Sequence, residues 1–114
     1  MSDECIFCRI INRELPGDIV YEDDRVVAFR DINPQAPVHL LIIPRRHIPT
    51  LADVSDDDTE LLGHILQVAN VLAGKFDVKK SGYRIVNNCG ADGGQVVFHL
   101  HFHLLGGAPL GRFA

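Results

Sequence analysis

Val96-Val97-Phe98-His99-Leu100-His101-Phe102-His103-Leu104-Leu105 is the stretch on which fold and chemistry turn. Side chains alternate across a β-strand, so an extended run over 96–105 divides in two. Val96, Phe98, Leu100, Phe102 and Leu104 share one side, and His99, His101 and His103 share the other. The apolar side is expected to build core and the histidine side a site. Two rises of about 3.3–3.4 Å put successive histidines about 6.6–6.8 Å apart and the outer two about 13 Å apart, so one ion cannot easily hold all three.

Working outward, Cys89-Gly90-Ala91-Asp92-Gly93-Gly94-Gln95 is a glycine-rich loop joining this strand to another over 83–88. Residues 19–22 and 25–30 are β-branched and aromatic around Asp23-Asp24, a hairpin signal, and 38–43 form a further strand closed by Pro44. Residues 5–13 read as a short helix with Ile6, Phe7, Ile10 and Ile11 apolar, ended by the turn around Pro16-Gly17. Ser55 and the acids Asp56, Asp57 and Asp58 suit a helix N-terminus. A long helix should follow, with Leu61, Leu62, Ile65, Leu66, Ala69, Leu72 and Phe76 at three- and four-residue intervals and Lys79, Lys80 and Gly82 marking its end. Hairpin strands with one helix set aside predict an α+β domain, an antiparallel sheet with the long helix on one face.

With 114 residues, 46% of them hydrophobic and 23% charged, the chain fits a single domain, 1–114, with a real core rather than a disordered tail. The net charge of −4 argues against binding a nucleic-acid polymer through its backbone. Thirteen of the fifteen acids lie in residues 1–60, so the C-terminal half can tolerate a small anion. Met1-Ser2-Asp3-Glu4 lacks the basic start of a secretory signal, and no window approaches the roughly 20 apolar residues of a membrane span. A cytoplasmic protein with no membrane partner is expected. Three cysteines, two spaced as Cys5-x-x-Cys8, then suggest metal or redox chemistry more than a structural disulfide.

Three histidines on one strand face admit several readings. A single one is ordinarily a solvated polar residue, and a His-x-His pair can belong to a catalytic zinc or iron site completed by a carboxylate. After Glu60 the only acids are Asp77 and Asp92, so such a carboxylate is scarce. The remaining chemistry is nucleophilic. Neutral imidazole, with a pKa near 6.5, is a nucleophile at pH 7, and a neighbouring imidazole can offset phosphate charge or protonate a leaving group. Gly93-Gly94-Gln95 offers backbone N–H groups and an amide to phosphate oxygens, unless it is merely a loose connection. No G-x-x-x-x-G-K-[ST] is present, which excludes a P-loop NTPase.

Gly94-Gln95-x-x-x-His99-Leu100-His101-Phe102-His103-Leu104-Leu105-Gly106-Gly107 resembles the signature of the histidine triad family, and the likeness extends through Tyr21-Glu22-Asp23-Asp24, Ala28-Phe29-Arg30-Asp31-Ile32, Pro34-Gln35-Ala36-Pro37-x-His39 and Ile43-Pro44. Within the family it is most similar to the Hint branch, whose members hydrolyse purine nucleoside phosphoramidates. The resemblance implies that His101 attacks the α-phosphorus to form a nucleotidyl-histidine that water cleaves, supported by His103 and His39. It assigns Asn88, Gln95, Gly94 and Val96 to the phosphate, Asp31 to the ribose hydroxyls, and Ile6, Phe7, Ile10, Phe29, Ile32 and Leu41 to the purine. Val96 departs from relatives that carry Ser or Thr there, so a hydroxyl contact is missing. No cofactor is implied for catalysis.

The resemblance also bears on the cysteines. Some bacterial relatives carry an N-terminal CxxC, and likeness to them implies a structural zinc held by Cys5, Cys8, His47 and His99, with redox use and a buried reduced pair as the alternatives. It further implies a homodimer whose sheet continues across the two-fold axis, with the tail from Pro109 near the partner's site. Arg45, Arg46 and His64 read as solvated, and Cys89 as a small filler. Two other functions remain open: a nucleotide-binding adaptor with incidental chemistry, and a dinucleoside polyphosphate hydrolase.

Overall fold

The structure is a computed structural model describing residues 5–112; the acidic start Met1–Glu4 and the tail's last two residues, Phe113-Ala114, lie outside the described residues. Helix α1 (Ile6–Ile11) leads into strands β1 (Ile19–Glu22), β2 (Val26–Arg30) and β3 (Val38–Pro44), helix α2 (Thr59–Lys75), and strands β4 (Tyr83–Val86) and β5 (Phe102–Gly106). The five strands form one sheet in the order β1-β2-β3-β5-β4, every neighbouring pair antiparallel. This is the expected α+β architecture. Its last strand enters between β3 and β4, so residues near the C-terminal end of the chain occupy a central position.

Alternation on the strands splits the apolar residues between the two faces. Val26, Ala28, Leu40, Ile42, Phe102 and Leu104 join Ile65, Val68, Ala69, Leu72 and Ala73 of α2 in the larger core. Val27, Phe29, Leu41 and Ile43 face the other way and pack with Phe7 of α1 in a smaller one. The histidines of β3 and β5 fall on this second face, where cover is partial and a cleft remains.

Several element boundaries differ from expectation. Helix α2 is preceded by a 3-10 turn at Asp56–Asp58 and stops at Lys75, short of Lys79-Gly82, because Asp77 turns at φ 62° and the chain folds back. Leu66 is exposed on α2, whereas Val68 and Ala73 are buried. The larger change is in the histidine stretch. Instead of a strand over 96–105, β5 begins only at Phe102, and Val96 and Phe98 are 87% and 47% exposed rather than core. Residues 96–101 are held outside the ladder: the Leu100 amide donates to the Ile48 carbonyl at 2.6 Å, and His99 Nε2 donates to the Pro44 carbonyl at 2.8 Å. Beyond Pro44 the chain has left the sheet, so its partner segment follows it rather than pairing as a strand.

Candidate active site

The three histidines of the stretch do not act as a row. The His101 and His103 rings stand 5.2 Å apart, centroid to centroid, while His99 turns to His47 at 4.9 Å. His39 joins the other two from β3. The register sets Leu41 opposite His103, so His39 is its diagonal neighbour, and the rings close to 5.1 Å.

Hydrogen bonds fix which ring nitrogen carries each proton. His101 Nδ1 lies 2.7 Å from the His99 carbonyl, which can only accept, so Nδ1 is protonated and Nε2 keeps its lone pair. The Gln35 amide donates to His39 Nδ1 at 3.0 Å, so in neutral His39 the proton is on Nε2, which donates to His103 Nδ1 at 2.8 Å. Neutral His103 therefore carries its own proton on Nε2. The site holds one imidazole with an available lone pair beside another with an available N–H. Burial, with the neighbouring His101 and His39, pushes His103 down to about 4; burial also lowers His39, against the opposing pull of Asp31.

These groups border a cleft of about 500 Å³. Its lining includes His39, His101 and His103, together with Phe29, Asp31, Ile32, Leu41, Asn88, Gly94, Val96, Ile6, Phe7 and Ile10. Asp31 accepts from the Asn33 amide at 2.8 Å through Oδ1, and its Oδ2 lies 3.4 Å from His39 Nε2. Phe7 stands edge-on to Phe29 at 5.4 Å and to His101 at 5.2 Å, joining the apolar wall to the imidazole.

Gln95 is the expected site residue that the structure does not bring to the cleft. It is buried, its Oε1 accepts from the Gly90 amide at 2.8 Å, and its Nε2 donates to the carbonyls of Pro49 and Val97 at 2.8 and 3.0 Å. Both ends of the amide are engaged in shaping the loop. Gly94, at φ 85°, makes the turn that leaves its backbone on the cleft.

A second cluster lies behind His101. The ligand atoms of Cys5, Cys8, His47 and His99 all lie within 4.8 Å of one another. His99 is fully buried, and because its Nε2–H is given to the Pro44 carbonyl, its Nδ1 lone pair faces the Cys5 and Cys8 sulfurs at 3.4 and 3.5 Å. A carbonyl that fixes the tautomer of a ligating histidine is the usual supporting contact of a metal site. Burial, with the Cys5 contact, pushes the Cys8 thiol up to about 11, so thiolate there needs a cation. The four residues can hold a metal ion. Asp31, His39 and His103 are as closely grouped. There the Gln35 amide occupies His39 Nδ1 and leaves a proton, not a lone pair, on the converging nitrogen, an arrangement that suits passing a proton better than holding a metal ion.

The structure adds cleft residues that the sequence did not reveal. Gln35 acts through its backbone amide, for which side-chain identity gives no signal. Pro16 and Gly17 also line the cleft, Gly17 lying so close to Ile10 that a Cβ there would come within 2.7 Å of Ile10 Cγ2. Asn33 was legible in principle, since Asp-x-Asn-Pro favours the turn that Asp31 accepts. Asn87 donates from Nδ2 to the His101 carbonyl at 2.9 Å. His64, expected to be solvated, lies 2.6 Å from Asp23.

Comparison with known proteins places this geometry among relatives. The purine nucleoside phosphoramidase of Escherichia coli strain K12 is 53% identical over 111 residues, 97% of this chain and 93% of that protein. A HIT family hydrolase from Legionella pneumophila Philadelphia 1 is 52% identical, with a TM-score of 0.92 over 94% of this chain and 96% of that one. A histidine triad protein from Clostridium difficile superposes with a TM-score of 0.94 at 47% identity, covering 97% of this chain and 96% of that one. The sequence pattern of the HIT domain runs over residues 12–110, from the end of α1 past β5, and by that match the chain belongs to the HIT domain family.

Proposed function

We propose that the protein hydrolyses purine nucleoside 5′-phosphoramidates through a nucleotidyl-His101 intermediate. The observation that carries this is the 2.7 Å bond from His101 Nδ1 to the His99 carbonyl, which leaves Nε2 as a nucleophile in the cleft. His101 Nε2 attacks the α-phosphorus and the P–N bond to the amine breaks. The substrate's negative charge favours protonation of the His39–His103 pair, which takes up a proton with the substrate and passes it from His103 Nε2 to the departing amine. Water then attacks the phosphorus, the electron pair of the P–His101 bond returns to Nε2, and the water's proton goes to the relay. Asp31 takes the ribose hydroxyls, and Ile6, Phe7, Ile10, Phe29, Ile32 and Leu41 enclose the purine. Asn88, with the Gly94 and Val96 backbone, holds phosphate oxygens; Gln95 acts on the loop alone. No cofactor takes part in these steps.

Zinc is the ion that two thiols and two imidazoles suit, and Cys5, Cys8, His47 and His99 would hold it as a closed structural site. Metal analysis of protein prepared without chelator should find about one zinc per chain; less than a tenth of an equivalent would remove the proposal. The working unit is a cytoplasmic homodimer of single HIT domains spanning 1–114. Support comes from β4, an outer strand of the sheet, and from the exposed Leu66 and Val71 on α2, surfaces that a second copy can cover. Among the described residues no helix is long and apolar enough to cross a membrane. Turnover of a fluorogenic AMP phosphoramidate tests the mechanism: His101→Gly should lower kcat by on the order of 10⁴-fold or more while AMP still binds. Near-parental turnover by that variant would refute it.

A further inference from the structure

His99 belongs to both centres at once. Its ring faces Cys5, Cys8 and His47, and its carbonyl accepts the proton that fixes the His101 tautomer. The segment carrying it has no strand pairing until Phe102, so isolated bonds place it: those of residues 99 and 100 to Pro44 and Ile48, and those of Gln95 and Asn87 to the Val97 and His101 carbonyls. Phe7 makes a second connection. It lies between the two cysteines in sequence, and its ring packs edge-on to His99 at 6.1 Å, to His101 at 5.2 Å and to Phe29 of the cleft wall at 5.4 Å. Cys5 also caps α1, its sulfur accepting from the Cys8 amide at 3.3 Å, and that helix carries Ile6, Phe7 and Ile10 to the cleft.

We propose that His99 is a positioning residue for the reaction, so that an ion held by the four-residue cluster and a purine mononucleotide in the cleft strengthen each other's binding. This rests on the function and metal proposed above. With the cluster filled, the His99 ring, the end of α1 and the Phe7 ring are fixed together; with it empty, all three lose a shared anchor. A metal serving local stability alone would leave the two affinities independent. Linkage requires that they change by the same factor.

The test uses the whole protein, zinc and AMP. AMP affinity is measured by calorimetry on zinc-loaded and zinc-depleted protein, with circular dichroism confirming that both are folded. Zinc affinity is measured against a chromophoric chelator with and without saturating AMP, an arm that needs no depleted protein. Expected is a change of about fivefold or more in each affinity, equal in size, with kcat falling more than KM rises on depletion. Phe7→Leu, which also alters the purine wall, should weaken AMP binding with and without zinc and shrink the shared factor; a factor as large as the parent's would show that the Phe7 ring does not carry the coupling. If zinc and AMP both bind and the factors stay within about twofold of unity, the coupling is refuted while the function stands. If AMP fails to bind even with zinc present, the function itself falls; if zinc fails to bind, the metal proposal falls and the coupling with it.

Discussion

Burial in the cleft, with His101 and His39 alongside, holds His103 at about 4, below the 6.5 it has in an unfolded chain. The folded state therefore prefers the neutral ring. This contribution to stability is complete above pH 6.5 and is lost as pH falls from 6.5 towards 4, because the unfolded chain binds that proton first. His103→Gln, a neutral replacement, should flatten the dependence of denaturation midpoint on pH across that window; an unchanged slope would show that other groups govern it. Gln95 makes a different claim at the same scale. Its amide serves three backbone groups at Gly90, Pro49 and Val97. Gln95→Ala should cost about 2 kcal/mol in urea unfolding. The loss would come through the loop, with AMP affinity changing less than it does in Asn88→Ala; the reverse ranking would place Gln95 on the phosphate.

The β1–β2 turn shows how a single side chain joins elements. Asp23 accepts from the amides of Arg25 and Val26, from the Tyr21 hydroxyl and from His64 of α2. Burial alone would raise its carboxyl, yet these donors, led by the Arg25 amide, hold it well below the usual carboxylate range. Its stabilising effect is present above the unfolded value near 3.8 and disappears as pH falls below it. Asp23→Ala should destabilise by about 1–3 kcal/mol at pH 7, and by much less at pH 2. The helix-to-hairpin tie through His64 was not legible in the sequence, because 41 residues separate the partners and each alone reads as a surface group. The hairpin itself was legible, since Asp23-Asp24 lies between two β-branched runs.

Across the whole molecule, two unequal cores give stability and function different addresses. Leu72 of α2 is fully buried against the sheet face away from the cleft. Leu72→Ala should cost about 2–5 kcal/mol with KM unchanged, read from denaturation and from phosphoramidate kinetics. A large shift in KM would mean that the cores are not separable. By itself the sequence determined the sheet and its companion helix, because alternation and helical spacing record which side of an element meets water, whereas His39 as a partner of His101 and His103 came from the family resemblance and not from periodicity. Only the tertiary structure decided how the histidines divide. The chain turns away after Pro44 and draws residues 96–101 out of the ladder, sending His99 to the cysteines and leaving His101 and His103 with His39. Ring protonation, too, depends on carbonyls and amides brought from distant segments, and a backbone partner has no side-chain identity for the sequence to display.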